Sequence, residues 1–176
     1  AGLGATVVVT AVGVSLPPVA SGSTLVADLQ LGYPLLVQGI AALLGEPLTY
    51  GAGRTVNPVV VGGWVGAFVT FLNLLPVGQL DGAHVTRALV GERLGSIQRV
   101  VPLALFGLAG YLVLVEGGRG AQIWAIWGVL ALLFARAGSA TPMDETPVDP
   151  KRRAVGVLTL VLGVLCFTPI PIAFAG

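Results

Sequence analysis

The sequence predicts an all-α fold: a polytopic transmembrane helical bundle of about five spans, with one short interfacial or re-entrant helix. Three observations carry this expectation. Hydrophobic residues make up 55% of the 176 and charged residues only 10%, where soluble domains carry roughly 25% charged residues. Mean hydropathy is +0.93, and the 26 glycines suit helices that pack closely in lipid. The apolar residues also gather into stretches near the length of a span, about 20 residues at 1.5 Å each.

The first such stretch, Ala1 to Ala20, is uncharged and ends in Pro17-Pro18. Leu31 to Leu44 is apolar but covers only about half of a span. It reads as the interfacial or re-entrant helix, with Pro34 near its start and Gly45 as its stop signal. Val56 to Leu80 is the longest and contains no charged residue. Val100 to Val115 and Ala121 to Ala135 are rather short spans, and Ala154 to Ile172 is the last. The expected organisation is a membrane domain over 1–137, a cytoplasmic linker over 138–153 and a C-terminal transmembrane helix within 154–176. Thr141-Pro142 and Thr146-Pro147 mark the linker.

Charge asymmetry sets an expected orientation. A cytoplasmic Ala83–Arg99 loop contributes Arg87, Arg93 and Arg99, and the Arg136–Arg153 loop then adds Arg136, Lys151, Arg152 and Arg153. The opposite side holds only Arg54 and Arg119, a clear positive-inside bias.

Several classes are disfavoured. A net charge of +1 provides no basic field for nucleic acid, and no aromatic-basic interleaving suggests a base-stacking surface. Cys166 is the only cysteine, which excludes an intrachain disulfide and a cysteine-based zinc site. The chain starts at Ala1 within an apolar stretch, with no Met and no basic region ahead, and reads as cut from a larger protein. Arg outnumbers Lys eight to one among abundant Ala, Gly and Val, which hints at a prokaryotic cell membrane.

Chemistry concentrates in Phe71-Leu-Asn-Leu-Leu-Pro-Val-Gly-Gln-Leu-Asp81-Gly. Asp81 closes the uncharged run, and an ionised Asp near the middle of a bilayer costs about 2.5–3.5 kcal/mol on insertion scales, so it is expected to have a partner. Pro76 and Gly78 break the helix just before it, freeing backbone groups. Asp81 reads either as the N-cap of a following helix or as a functional carboxylate, and the two are compatible. A fixed carboxylate suits zinc, which at a catalytic site takes three protein ligands and an open position. His84, the only histidine, shares a helix face with Asp81 and reads as a second ligand or as an interfacial histidine. Asn73 either caps the preceding helix or donates its amide to a substrate or oxyanion. Gly62 and Gly66 have GxxxG spacing, read as close helix packing that could let another helix approach Asp81.

Asn73-Leu-Leu-Pro-Val-Gly-Gln-Leu-Asp81-Gly-Ala-His resembles the NLLP…LDG signature of the site-2 protease family, the intramembrane zinc metalloproteases. The resemblance extends from about Gly32 to Arg93, with Asn57-Pro58-Val-Val-Val-Gly-Gly-Trp64 as a similar lead-in. It implies that Asp81 is the third zinc ligand and that Asn73 holds the substrate strand or polarises its carbonyl. It also implies that Pro76, Leu80 and Gly82 shape the broken helix. Ala83 stands where the family commonly has a second glycine. The family's other ligands and its general base come from HExxH on an earlier span, where two histidines bind zinc and the Glu activates water. With one histidine, this sequence contains no HExxH.

The expected function is therefore that of the C-terminal part of an intramembrane zinc protease, with HExxH upstream and little activity in this stretch alone. Its expected partners are Zn2+, the lipid bilayer, a transmembrane protein substrate and the missing N-terminal catalytic spans. Two other readings stay open. One is a non-catalytic pseudoprotease that binds membrane segments. The other is a small ion-coupled transporter using Asp81 at a broken helix, although no symmetry between halves supports it.

Overall fold

The computed structural model describes residues 2–20, 29–138 and 149–174. Among them are seven α-helices: α1 (Gly2–Ser15), α2 (Leu35–Leu44), α3 (Pro58–Asn73), α4 (Asp81–Val90), α5 (Leu94–Val115), α6 (Ala121–Ala137) and α7 (Pro150–Leu165). Short strands accompany them: β1 (Val19–Ala20) pairs antiparallel with β3 (Arg54–Thr55), and β2 (Leu29–Leu31) with β4 (Ile172–Phe174). These two ribbons are additions to the expected all-helical plan. The chain divides into two compact units, one of residues 1–71 with 164–176 and the other of residues 72–163.

Helix lengths modify the five-span expectation. Only α5, with 22 residues, is long and apolar enough to cross a bilayer by itself among the described residues. At 1.5 Å per residue it reaches about 33 Å, whereas α1 with 14 residues reaches about 21 Å. The stretch Val56 to Leu80 forms a helix only over Pro58–Asn73, because Pro76 and Gly78 interrupt it. Conversely, α5 starts six residues ahead of the apolar run, at Leu94, and passes through a buried Pro102. Within residues 83–99, read as a loop from their charges, α4 continues to Val90, a 3-10 turn covers Gly91–Arg93 and α5 begins at Leu94.

The linker's residues 139–148 lie outside the described residues. Its last part is already α7, because Asp149 Oδ1 accepts the backbone N–H groups of Lys151 (2.9 Å) and Arg152 (3.0 Å) and Pro150 follows at the first helical position.

In the first unit α1 and α3 pack antiparallel through small residues. A Cβ at Gly13 would meet the backbone N of Val60 at 2.6 Å, one at Gly63 would run into Thr10, and one at Gly66 would meet Thr6 Oγ1 at 2.7 Å. Gly62, half of the GxxxG pair, faces only Val9 Cγ1 at an ordinary 3.6 Å. The contacting pair is thus Gly63 with Gly66, and it admits α1, a helix of the same unit. Gly63→Ala is expected to destabilise by about 2 kcal/mol through overpacking, with Gly62→Ala near neutral. Chemical unfolding in detergent micelles checks the contrast, and equal effects would contradict this packing.

Helix α2 covers this pair. Val37 and Ala41 are its buried positions, and Ala41 clusters with Val14, Val56 and Val60, while Val37 clusters with Ala67 and Cys166. The helix starts after Pro34 and ends at Gly45, whose φ of 71° allows its N–H to close on Ala42 O at 3.2 Å. Trp64 on α3 donates Nε1–H to Gly32 O at 2.8 Å, so the lead-in helix is tied to the strand region by a buried indole.

In the second unit α5 and α6 form a hairpin closed by Gly117, Gly118 and Gly120, all at positive φ. Phe106 lies against Gly128, and Ala109, Gly110 and Val113 share a groove with Ala121, Gln122 and Ala125. Each step back along α5 matches a step forward along α6, so the two are antiparallel.

Candidate functional site

The second unit opens at the broken helix. Asn73 is the last residue of α3, and residues 74–80 form turns. Leu75 N–H bonds to Leu72 O (3.2 Å), Val77 N–H reaches back over Pro76 to Leu75 O (2.8 Å), and Leu80 N–H closes on Val77 O (3.2 Å). Leu75 and Val77 are buried and anchor the turn. Gly78 is required twice over. Its φ is 58°, and a Cβ there would lie 2.7 Å from both the Cβ and the carbonyl oxygen of Phe134 near the end of α6.

Helix α4 then begins, and its first residue is Asp81. The N-cap position belongs to Leu80, in extended backbone (φ −66°, ψ 154°) with no side-chain cap bond. The capping alternative for Asp81 is therefore corrected by one residue. Inside the first turn, its carboxylate can gain only the modest attraction of the helix dipole, about 0.3–1 kcal/mol. Asp81 is exposed and makes no hydrogen bond or ion pair among the described residues. The expected partner for this carboxylate is thus not found there. Asn73 is likewise exposed, with no side-chain hydrogen bond among the described residues, so the helix-capping alternative for it is not observed.

Gly82 joins the two halves of the motif. A Cβ on it would collide with the carbonyl oxygen and carbon of Leu74 and come within 2.7 Å of Leu75 O. The start of α4 therefore lies directly on the turn that leaves α3, and only glycine permits this approach. Asn73 and Asp81 flank that contact, each one residue from it along the chain. Ala83, where a second glycine was noted in the resemblance, is buried, and the site accommodates its methyl group.

His84 is exposed one turn after Asp81 on α4, with its side chain unbonded among the described residues. Spacing places both on one helix face, as expected. No group of three His, Cys, Asp or Glu side chains able to hold a metal occurs among the described residues. The donor set fits one corner of a zinc site, not a whole one. Asp81 with His84 falls short of the three protein ligands that a catalytic zinc takes.

The supports of this site were only partly legible beforehand. Pro76 and Gly78 announce a break in any helix. The seat of Gly78 against Phe134 joins positions 56 residues apart, and no local signal in the sequence points to it.

Comparison with known proteins bears on this arrangement. Curated plant relatives that match carry the name probable zinc metalloprotease EGY2, chloroplastic. That from Oryza sativa subsp. indica is 32% identical over 166 residues, covering 92% of this chain and 29% of the relative. That from Arabidopsis thaliana is 30% identical over 169 residues, covering 94% and 29%. The probable zinc metallopeptidase EGY3, chloroplastic, of Arabidopsis thaliana is 35% identical over 119 residues, or 66% of this chain and 19% of that protein. The chain thus spans about 29% of the length of its EGY2 relatives. No solved structure matches it. The profile of peptidase family M50 matches residues 19–115, a stretch that holds α2, α3, the turn and Asp81 together. More than half of the sequence and the whole broken-helix motif thus fall inside one family pattern, and the chain belongs to peptidase family M50, the site-2 protease family.

Proposed function

We propose that this chain forms part of an intramembrane zinc endopeptidase that hydrolyses peptide bonds in transmembrane segments of other proteins. The observation that carries the reading is the locked junction of turn and helix at Gly82. There the residues next to Asn73 and Asp81, Leu74 and Gly82, touch, and Asn73 and Asp81 are both exposed and without partners among the described residues. A carboxylate left unpaired in so apolar a chain calls for a partner from outside it. A zinc ion whose other ligands lie outside this sequence meets that need, and the names of the EGY2 relatives support the choice of metal. Asp81 supplies the third ligand, and the HExxH ligands come from elsewhere in the protein. Asn73 offers an amide to the substrate backbone, which must be unwound locally because a helix hides its carbonyls in its own hydrogen bonds.

The polytopic bundle belongs to the same proposal. The helices shorter than α5 span together with their flanking turns, and the Arg-rich end faces the cytoplasm. The prokaryotic cell membrane is proposed on the arginine bias alone. The plant relatives are chloroplastic and lend that location no weight.

The test is zinc stoichiometry in the full-length protein together with cleavage of a reconstituted transmembrane peptide. One zinc per chain is expected, with cleavage lost on chelation and regained with zinc. A full-length protein that binds no zinc would sink the reading. The single histidine of this sequence favours one second reading, a non-catalytic relative that holds membrane segments. An intact HExxH in the preceding coding sequence rules that out.

A further inference from the structure

The second unit collects nearly all the basic side chains of the chain at one of its ends. Arg99 on α5 precedes Phe106 by seven residues, and Arg136 on α6 follows Gly128 by eight. Because Phe106 packs on Gly128 in an antiparallel pair, the two guanidinium groups start from the same level. The 3-10 turn Gly91–Arg93 joins the end of α4 directly to the start of α5, which brings Arg87 and Arg93 to this level too. The start of α7 arrives there as well. A Cβ at Gly156 would sit 3.3 Å from Leu89 Cδ2 on α4, one turn from Arg152 and Arg153. Lys151 precedes them.

Among the described residues, neutralisation of these bases is slight. Arg93, Arg99, Arg136 and the three bases of α7 are exposed, and Arg87 is partly so. Among the described residues their one ion pair is Arg152 Nε with Asp149 Oδ2 at 3.3 Å, between groups 83% and 51% exposed. Glu92 is the other acid within the described segments of this end, and Asp144 and Glu145 fall in the stretch between α6 and α7. In sequence, these segments and the stretch between α6 and α7 carry seven bases and four acids. The hairpin's opposite end carries Glu116 and Arg119 alone.

Directly beside the belt, the flanks of α5, α6 and α7 are apolar and exposed, as at Val100, Leu103, Leu133, Val155 and Leu158. We propose that this belt is a binding surface for anionic phospholipid, with headgroup phosphates on the arginines and acyl chains along those flanks. Clusters of four to eight Lys or Arg next to membrane helices have this chemistry, and each basic group near an anionic surface adds about a fivefold gain. Arginine's fork suits phosphate oxygens. The chemistry of headgroup and tail together selects lipid over a soluble phosphate, which would use the belt but not the flanks. The inference rests on the membrane placement of the second unit.

The test uses the full-length protein in nanodiscs of phosphatidylcholine with phosphatidylglycerol. Spin-labelled forms of each report how strongly each lipid is held at the protein. Both leaflets have one composition, so insertion orientation does not matter. Phosphatidylglycerol is expected to be held roughly fivefold or more over phosphatidylcholine. The R93Q/R99Q/R136Q variant should lose most of that preference, the corresponding triple lysine variant should keep it, and R119Q should leave it unchanged. Inorganic phosphate replacing chloride at constant ionic strength should not compete. Equal retention of the two lipids, or a preference that survives the triple Gln variant, overturns the proposal while leaving the membrane placement standing. Retention of neither lipid overturns both.

Discussion

Replacing Asp81 by alanine in the full-length protein is expected to remove bound zinc and abolish cleavage while leaving the fold intact. The side chain is exposed and unbonded among the described residues, so its loss takes away little beyond a dipole term of about 0.3–1 kcal/mol. Zinc binding has much more to lose. Outer groups that merely orient a ligand already contribute about 10–100-fold to metal affinity, and loss of a direct ligand should exceed that range. Asp81→Asn should behave like alanine, because the amide is a poor zinc donor. Asp81→His should retain part of the metal. Metal content by mass spectrometry, read beside the unfolding midpoint, separates the outcomes. Unchanged zinc in the alanine variant would mean that the carboxylate is not a ligand.

Gly82→Ala should cause the larger structural loss. Its Cβ would be driven into the carbonyl of Leu74 and to 2.7 Å from Leu75 O. Those are backbone atoms of a tight turn held by Leu75 and Val77 in the interior, so they cannot swing aside as a side chain would. Overpacking of this kind costs about 3 kcal/mol at the upper end of its usual range. The turn and α4 would have to separate, moving Asn73 away from Asp81, so activity should fall with stability. Ala83→Gly, one residue on, removes a tolerated methyl group and costs about 1 kcal/mol of helix propensity. Thermal unfolding of the two variants in the same detergent checks the contrast. A Gly82→Ala protein as stable as the parent would show that turn and helix do not touch.

Much of the motif could be read without coordinates because it rests on local chemistry. Pro76 lacks an N–H and Gly78 tolerates positive φ, so a break after Asn73 follows from those residue types alone. The short helix at Leu35–Leu44 follows equally from Pro34 and Gly45. Helix ends elsewhere were less legible. Residues 83–99 carry Arg87, Arg93 and Arg99, and reading them as a loop from those charges missed the helix start at Leu94. Gly62 and Gly66 both face α1, as their spacing suggested, but spacing defines a face without saying which of its residues lies deepest against the neighbour. Contact with Thr10 selected Gly63 over Gly62.

Composition and order of residues by themselves determined that this is a helical, lipid-compatible chain with one broken helix and a lone carboxylate after it. These properties follow from hydrophobicity and backbone chemistry, which act at each residue or between near neighbours. Only the tertiary structure decided that Gly82 seats α4 on the turn after α3, that Gly78 rests on Phe134, and that arginines from four helices and a turn meet at one end. Those arrangements arise from packing between segments far apart in the chain, where steric fit selects the partner and local propensity does not.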